Sequence, residues 1–134
     1  MRFFRRKAKD WEATLGELDK GVSFFGNSFV RTLMIGNALF LLASLGILLW
    51  VIRPREASIV LHYNIYFGVD LLGAWWHAYL LPGVATLLFF GHLFLARSFY
   101  RRHERIASYL LLLAMLFLSF AIVLSSLSIA FINY

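Results

Sequence analysis

The sequence predicts an all-α membrane protein that crosses the bilayer with three transmembrane helices. The 134-residue chain is 61% hydrophobic and only 15% charged, with a mean hydropathy of +0.75. A soluble domain of this size needs far more polar surface, so lipid must solvate much of the chain. The uncharged stretches at 32–52 and 107–132 are each long enough to cross about 30 Å of hydrocarbon. The length leaves room for a single integral membrane domain, 1–134.

Capping residues and charges set the limits of the first span. Asn27 or Ser28 can cap the helix, which is predicted at 32–52, and Arg53 with Pro54 ends it. The apolar run is longer than the h-region of a signal peptide, which has about 7–15 residues. We therefore expect this helix to remain in the mature protein.

The second and third spans are predicted at 74–100 and 107–132. Pro82 lies inside the second span, where it removes a backbone donor and is expected to kink the helix. Trp75 and Trp76 are expected in an aromatic belt at the outer interface. The third span carries small residues on one face that would let another helix approach closely. They are Ala114, Ala121, Ser125 and Ser128.

The N-terminal segment is predicted to lie on the membrane surface. Five of the first nine residues are basic, and apolar residues then recur at intervals of 4, 3, 4 and 3. They are Trp11, Leu15, Leu18, Val22 and Phe25. Because this spacing places them on one face opposite acidic residues, it predicts an N-terminal interfacial amphipathic helix at 7–20.

Lys and Arg are distributed unequally between the two sides of the predicted bundle. With three spans, the N-terminal segment and the 97–106 loop share a side that holds eleven of the thirteen basic residues. The other side holds only Arg53 and Arg55. The positive-inside rule therefore predicts a cytoplasmic N-terminus and a C-terminus outside. No nucleic-acid partner is expected, since no recognition fold accompanies these charges.

The run LHYNIYFGVDLLGAWWHAYLLPG, at 61–83, resembles a segment of an uncharacterised family of small bacterial multi-spanning membrane proteins. The similarity covers about a sixth of the chain. It implies a bacterial cytoplasmic (inner) membrane protein and assigns no catalytic residue.

The stretch at 59–70 alternates between apolar and polar residues, which predicts an extended outer segment. Only one such segment is recognised, so its backbone groups would have no partner within the chain. We expect it to pair with its twin in a second copy or with a strand of another protein. The expected interaction residues lie within 59–82. They are His62, Tyr63, Asn64, Tyr66, Asp70, Trp75, Trp76 and His77.

Three residues of this segment have side chains suited to zinc binding or proton transfer: His62, Asp70 and His77. His62 and Asp70 lie about 26 Å apart along an extended strand, and only a bend, which Gly68 can supply, would bring them together. No metalloprotease, paired-carboxylate or nucleophile–base pattern occurs. The chain has no cysteine. We expect no catalytic, metal or cofactor site, and we expect Asp70 to cap the second span.

Two polar residues lie inside the spans, where unpaired polar groups are costly. They are Asn37 in the first span and His92 in the second. Both lie toward the inner side, so we expect them to meet in an interhelical hydrogen bond.

These features favour a structural or interaction subunit of a membrane assembly. The subunit would associate with itself or with another membrane protein through 59–82. The alternative is a protomer of an oligomeric transporter or channel. A transporter would be expected to carry an intramembrane carboxylate or paired discontinuous helices, and only the Pro82-Gly83 break points that way. The sequence contains no recognisable enzymatic motif, so we expect that this chain is not an enzyme.

Overall fold

A computed structural model of the protein describes residues 21–134, so the predicted interfacial helix at 7–20 lies outside the described residues. The described chain forms three long helices, with a hairpin between the first and the second. The helices are α1 (Ser28–Val51), α2 (Leu80–Arg101) and α3 (Arg105–Asn133), and the strands are β1 (Ile59–Asn64) and β2 (Gly68–Gly73). Short 3-10 helices precede α1 and α2, at Phe24–Gly26 and Trp75–Tyr79.

Three helical stretches are long and apolar enough to cross a membrane: Ser28–Val51, Trp75–Arg101 and Arg105–Asn133. The prediction of three such helices is therefore confirmed. α1 begins four residues before the predicted limit of 32 and therefore includes Arg31. The exposed Arg31 is accommodated in the first turns of α1, since a long basic side chain can carry its charge away from an apolar helix.

α1 and α3 run parallel and share a continuous packing seam. Buried residues recur along both helices at intervals of three and four, which is the seam of a left-handed coiled coil. In α1 they are Val30, Leu33, Asn37, Leu41, Ser44 and Leu48, and in α3 they include Ser108, Leu112, Met115, Ser119, Ser126 and Ile129. The small residues predicted as a packing face are all exposed on α3, at Ala114, Ala121, Ser125 and Ser128. No described helix covers that face.

Asn27 joins all three helices at the end of the bundle where α1 begins, which we call the basic end. Its Oδ1 accepts hydrogen bonds from the N–H groups of Phe29 (2.9 Å) and Val30 (3.3 Å), so the predicted cap is confirmed. Its Nδ2 donates to the hydroxyl of Tyr109 on α3 (2.8 Å) and to that of Tyr100 on α2 (3.3 Å). The side-chain amide of Asn27 thus caps the first backbone N–H groups of α1 and links α1 to α2 and α3.

Pro82, which the sequence predicted would kink the second span, lies near the start of α2. The predicted span 74–100 divides into the 3-10 helix Trp75–Tyr79 and then α2, and Pro82 is the third residue of α2. N–H groups in the first turn of an α-helix have no intrahelical acceptor, so a residue without that donor is tolerated there. Pro82 therefore lies where the 3-10 helix becomes α-helix.

The prediction of a single strand at 59–70 is wrong, because β2 is the antiparallel partner of β1. Ile59 pairs with Gly73, and Asn64 pairs with Gly68. The chain reverses through a turn in which the Asn64 side chain accepts from Tyr66 N–H (2.8 Å) and Gly68 adopts a φ of 78°. β2 was missed because its sequence, GVDLLG, has a glycine at each end and adjacent leucines in place of alternation. Because the backbone groups of β1 find a partner within the chain, they give no reason to expect pairing with a strand of a second chain.

Candidate functional site

His62 and Asp70 would lie far apart on one extended strand, and the hairpin, in which Gly68 adopts a positive φ, brings them together. The Nδ1 of His62 lies 2.7 Å from an oxygen of Asp70, with side chains that are 61% and 43% exposed. The strand register shifts on each side of His62, so Leu61 and Asp70 have no directly opposed residue. Such bulges redirect side chains and here place the carboxylate against the ring. Asp70 does not cap a helix, which corrects the expectation from sequence.

The hairpin is fastened to α3 by Asn133, a residue that sequence reasoning placed beyond the third span. Its Oδ1 accepts from Val60 N–H (2.9 Å), and its Nδ2 donates to Val60 C=O (2.7 Å). The side-chain amide thus takes the place of a neighbouring strand at the edge of β1. The available signal was an amide among apolar residues at the end of a helix, opposite a predicted strand.

The 3-10 helix Trp75–Tyr79 carries the remaining predicted interaction residues. The hydroxyl of Tyr79 donates to the carbonyl of Ile52 (2.8 Å), which ties the start of α2 to the end of α1. Trp76 is half-exposed, and its ring lies 3.9 Å from that of His77, centroid to centroid. Gly73 lets the chain pass close to His77, because a Cβ there would lie 2.8 Å from His77 Nδ1.

The tip of the hairpin is the most exposed apolar surface outside the long helices. Ile65, Tyr66 and Phe67 are 82%, 88% and 84% exposed. Because a strand rises about 3.3 Å per residue, the tip lies roughly 15–20 Å from the base of the hairpin. Contiguous exposed apolar residues mark protein or membrane contact sites in folded proteins. Of the predicted interaction residues, Tyr63, Asn64 and Tyr66 lie on β1 or in this turn.

A groove of about 940 Å³ runs between the hairpin and the adjoining ends of α2 and α3. One side is formed by Leu61, His62, Tyr63, Leu71 and Leu72 of the hairpin, and His77 belongs to the adjacent 3-10 helix. The other side comes from the start of α2 and the end of α3, including Leu80, Val84, Ser125, Ser128 and Ile132. None of the lining residues is Lys, Arg, Asp or Glu. The groove is therefore mainly apolar, and its polar side chains are those of two histidines, two serines and Tyr63.

The predicted bond between Asn37 and His92 does not form. Asn37 is fully buried, and its Nδ2 donates to the carbonyls of Leu33 (2.8 Å) and Leu112 (3.3 Å). Its Oδ1 accepts from the hydroxyl of Ser119 on α3 (2.9 Å). His92 Nδ1 instead donates to Leu88 C=O within its own helix (2.8 Å). Asn37 is thus an interhelical polar residue, as predicted, but its partner is α3.

A second polar pair lies seven residues further along the same seam. The hydroxyls of Ser44 and Ser126 are 2.7 Å apart, and both residues are fully buried. The equal spacing, 37 to 44 and 119 to 126, is a heptad signal that was present in the sequence and that sequence reasoning missed.

Within residues 21–134, no group of three or more His, Cys, Asp or Glu side chains is arranged to hold a metal ion. His62 and Asp70 provide two such ligands at one place. Comparison of the chain with protein-family models, curated proteins and solved structures finds no match. The functional inference therefore rests on the residues and their geometry.

Substituting Asn37 should weaken the bundle more than substituting His92. Asn37→Ala leaves the Ser119 hydroxyl and the Leu112 carbonyl without their partner, which we expect to cost about 1–3 kcal/mol of unfolding free energy. His92→Ala removes only a bond within α2 and should cost less than about 0.7 kcal/mol. Reversible unfolding in mixed micelles measures both. An equal loss in the two variants would contradict the assignment of Asn37 to the α1–α3 seam.

Removing the Asn133 amide should release the hairpin while leaving the helices folded. Asn133→Ala deprives Val60 of both hydrogen-bond partners at the edge of β1, so the Val60 amide should exchange its hydrogen at least about tenfold faster. Ser128→Ala is the matched control, because the Ser128 hydroxyl donates only to Leu124 within α3. Hydrogen exchange followed by mass spectrometry of peptides covering 59–73 tests this. Unchanged exchange in Asn133→Ala would show that other contacts hold the hairpin.

Proposed function

We propose that this chain is a structural or interaction subunit of a membrane assembly and that the tip of its hairpin is the docking element. The observation that carries the proposal is the exposure of Ile65, Tyr66 and Phe67 at the end of a braced hairpin. A bare loop could fold these side chains back onto the bundle. The paired strands and the Asn133 contact instead hold them away from it.

The occupant of this tip is a protein surface with an apolar pocket, in a second copy or in another membrane protein. Large aromatic side chains dominate binding energies when they enter such pockets, since they bury much area with few rotatable bonds. Tyr66 and Phe67 are of this kind. No charged residue lies among 65–67. The affinity of the tip for its partner is therefore expected to come from the burial of apolar surface and to change little with ionic strength.

The transporter or channel alternative has less support. Most of the buried polar side chains of the described α1–α3 seam bond to one another or to nearby backbone, as in Asn37 with Ser119 and Ser44 with Ser126. The exception is the buried hydroxyl of Ser108, which has no hydrogen-bond partner among the described residues. A pathway for ions or solutes requires polar groups that remain free for the permeant species. The groove near the hairpin lies on the outside of the bundle and has mainly apolar walls.

The orientation that we propose places the hairpin outside a bacterial inner membrane. Among the described residues, the basic end carries Arg31, Arg97, Arg101, Arg102 and Arg105. At the hairpin end, the only Lys or Arg residues among those described are Arg53 and Arg55. Retention of Lys and Arg on the cytoplasmic side then leaves the hairpin exposed to the outside.

Polar substitutions at the tip of the hairpin should cause the assembly to dissociate. We expect the parent protein, purified in mild detergent, to have a protein mass above the 15.5 kDa of one chain. A double variant, Ile65→Ser with Phe67→Ser, should shift it to one chain, because both apolar anchors are lost. The matched control, Ile65→Val with Phe67→Leu, keeps apolar side chains at both positions and should retain the parent mass. Light scattering corrected for bound detergent gives the protein mass.

Two results would contradict the docking proposal. One is a parent protein that is a single chain without any co-purifying protein. The other is an unchanged particle mass in the serine variant. A mass that is a multiple of one chain identifies self-association, whereas a second polypeptide in the particle identifies a different partner.

Cysteine labelling should report the proposed orientation. The chain has no native cysteine, so Ser58→Cys and His103→Cys each introduce one exposed thiol, at opposite ends of the bundle. In intact cells, a membrane-impermeant maleimide should label Ser58→Cys, and it should label His103→Cys only after the membrane is opened. The reverse pattern would overturn the orientation drawn from the basic residues.

A further inference from the structure

The groove beneath the hairpin extends from the ends of two long apolar helices to the hairpin, where its two histidines lie. Val84 and Ser125 lie within the long apolar helices, and Ser125 is about 12 Å along α3 from Asn133 at a rise of 1.5 Å per residue. His62 and His77 lie at the other end, on the hairpin and the 3-10 helix. A ligand that follows the groove would therefore place an apolar chain among the helices and a polar group near the histidines.

The lining also defines the charge of that polar group. No Lys or Arg lines the groove, so nothing there neutralises a phosphate or a carboxylate. No Asp or Glu lines it either, and the neighbouring carboxylate of Asp70 is paired with His62. Burying an unpaired charge is costly, whereas an uncharged head that forms hydrogen bonds can be accommodated. The volume of about 940 Å³ lies in the range of small-molecule sites in proteins.

The contact between His62 and Asp70 limits which hydrogen bonds His62 itself can make. The carboxylate accepts from His62 Nδ1–H at 2.7 Å. In a neutral imidazole whose Nδ1 carries the proton, Nε2 is an acceptor. His62 lines the groove, and its contact with Asp70 occupies only Nδ1, which leaves Nε2 available for a hydrogen bond. The complementary group on the ligand is a donor, such as a hydroxyl.

We infer that this groove binds one amphiphile with a long apolar chain and an uncharged hydroxyl head, which donates a hydrogen bond to His62. Prenyl alcohols and acylglycerols share this chemistry. Asp70 acts as a positioning residue that holds the ring of His62. The docking tip at 65–67 does not line the groove, so the two sites can be tested separately.

Titration of the purified full chain with geranylgeraniol and with monopalmitin, followed by native mass spectrometry, tests the inference. We expect at least one of the two to bind saturably at one molecule per chain, and the better binder identifies the source. The methyl ether of geranylgeraniol and the dimethyl ether of monopalmitin have no hydroxyl donor. The ether of the better ligand should bind about tenfold more weakly, because the hydrogen bond to His62 is lost. Lysophosphatidylglycerol, with a charged head, should bind as weakly as the ether.

Two variants in α3 locate the site. Ser125→Phe places a ring in the groove and should weaken binding at least about tenfold, since overlap excludes the chain. Ala121→Phe adds the same ring to an exposed position of α3 outside the groove and should bind as the parent does. His62→Phe, at an exposed position on the hairpin, should lower alcohol affinity to that of the ether without changing ether affinity.

Several results would overturn the inference. Binding that rises without saturation for both alcohols would indicate detergent-like partition. Equal affinity for the alcohol and its ether would remove the hydroxyl–His62 contact. An equal loss in Ser125→Phe and Ala121→Phe would place the ligand elsewhere on α3. Because His62→Phe leaves the helices unaltered, its result stands even if Ser125→Phe fails to fold.

Discussion

Internal satisfaction of polar groups is the constraint on which this structure depends. In a chain that is 61% hydrophobic, an amide or carbonyl buried in the bundle cannot rely on water, so its partner must come from the chain. The chain contains four asparagines, and the side chain of each forms hydrogen bonds. Asn27 caps α1 and reaches the other two helices, and Asn37 joins α1 to α3. Asn64 shapes the hairpin turn, and Asn133 anchors the strand.

An amide suits these places because it carries a donor and an acceptor on one rigid group. At Val60, Asn133 uses both at once and replaces a strand neighbour. At the seam, the Asn37 amide donates hydrogen bonds to two carbonyls and accepts one from a hydroxyl. Removing this side chain would leave polar groups of both helices without that partner. Between apolar helices, such bonds also fix register, because many apolar registers have similar energies. The heptad spacing of Asn37 and Ser44 opposite Ser119 and Ser126 specifies one alignment.

The sequence sufficed for the helices because their signal is long and redundant. About twenty apolar residues between charged flanks predict a span whatever its neighbours are, so only limits of a few residues were in error, as at Arg31. The hairpin needed knowledge of which segment lies opposite β1, and the short, bulged β2 gives little periodic signal. The partners of Asn37 and His62 depend on register, and register is a property of two elements together. That is why His92 was wrongly paired and Asp70 was wrongly assigned to a helix start.

The hairpin brings together two surfaces with different demands. Its tip presents three large apolar side chains that neither strand can cover. Its base forms one wall of a groove whose floor belongs to the apolar helices. Both surfaces depend on the same two contacts. The Asn133 amide holds the hairpin against α3, and the Tyr79 hydroxyl holds the start of α2 against the end of α1. A molecule that fills the groove therefore contacts the strands that position the tip.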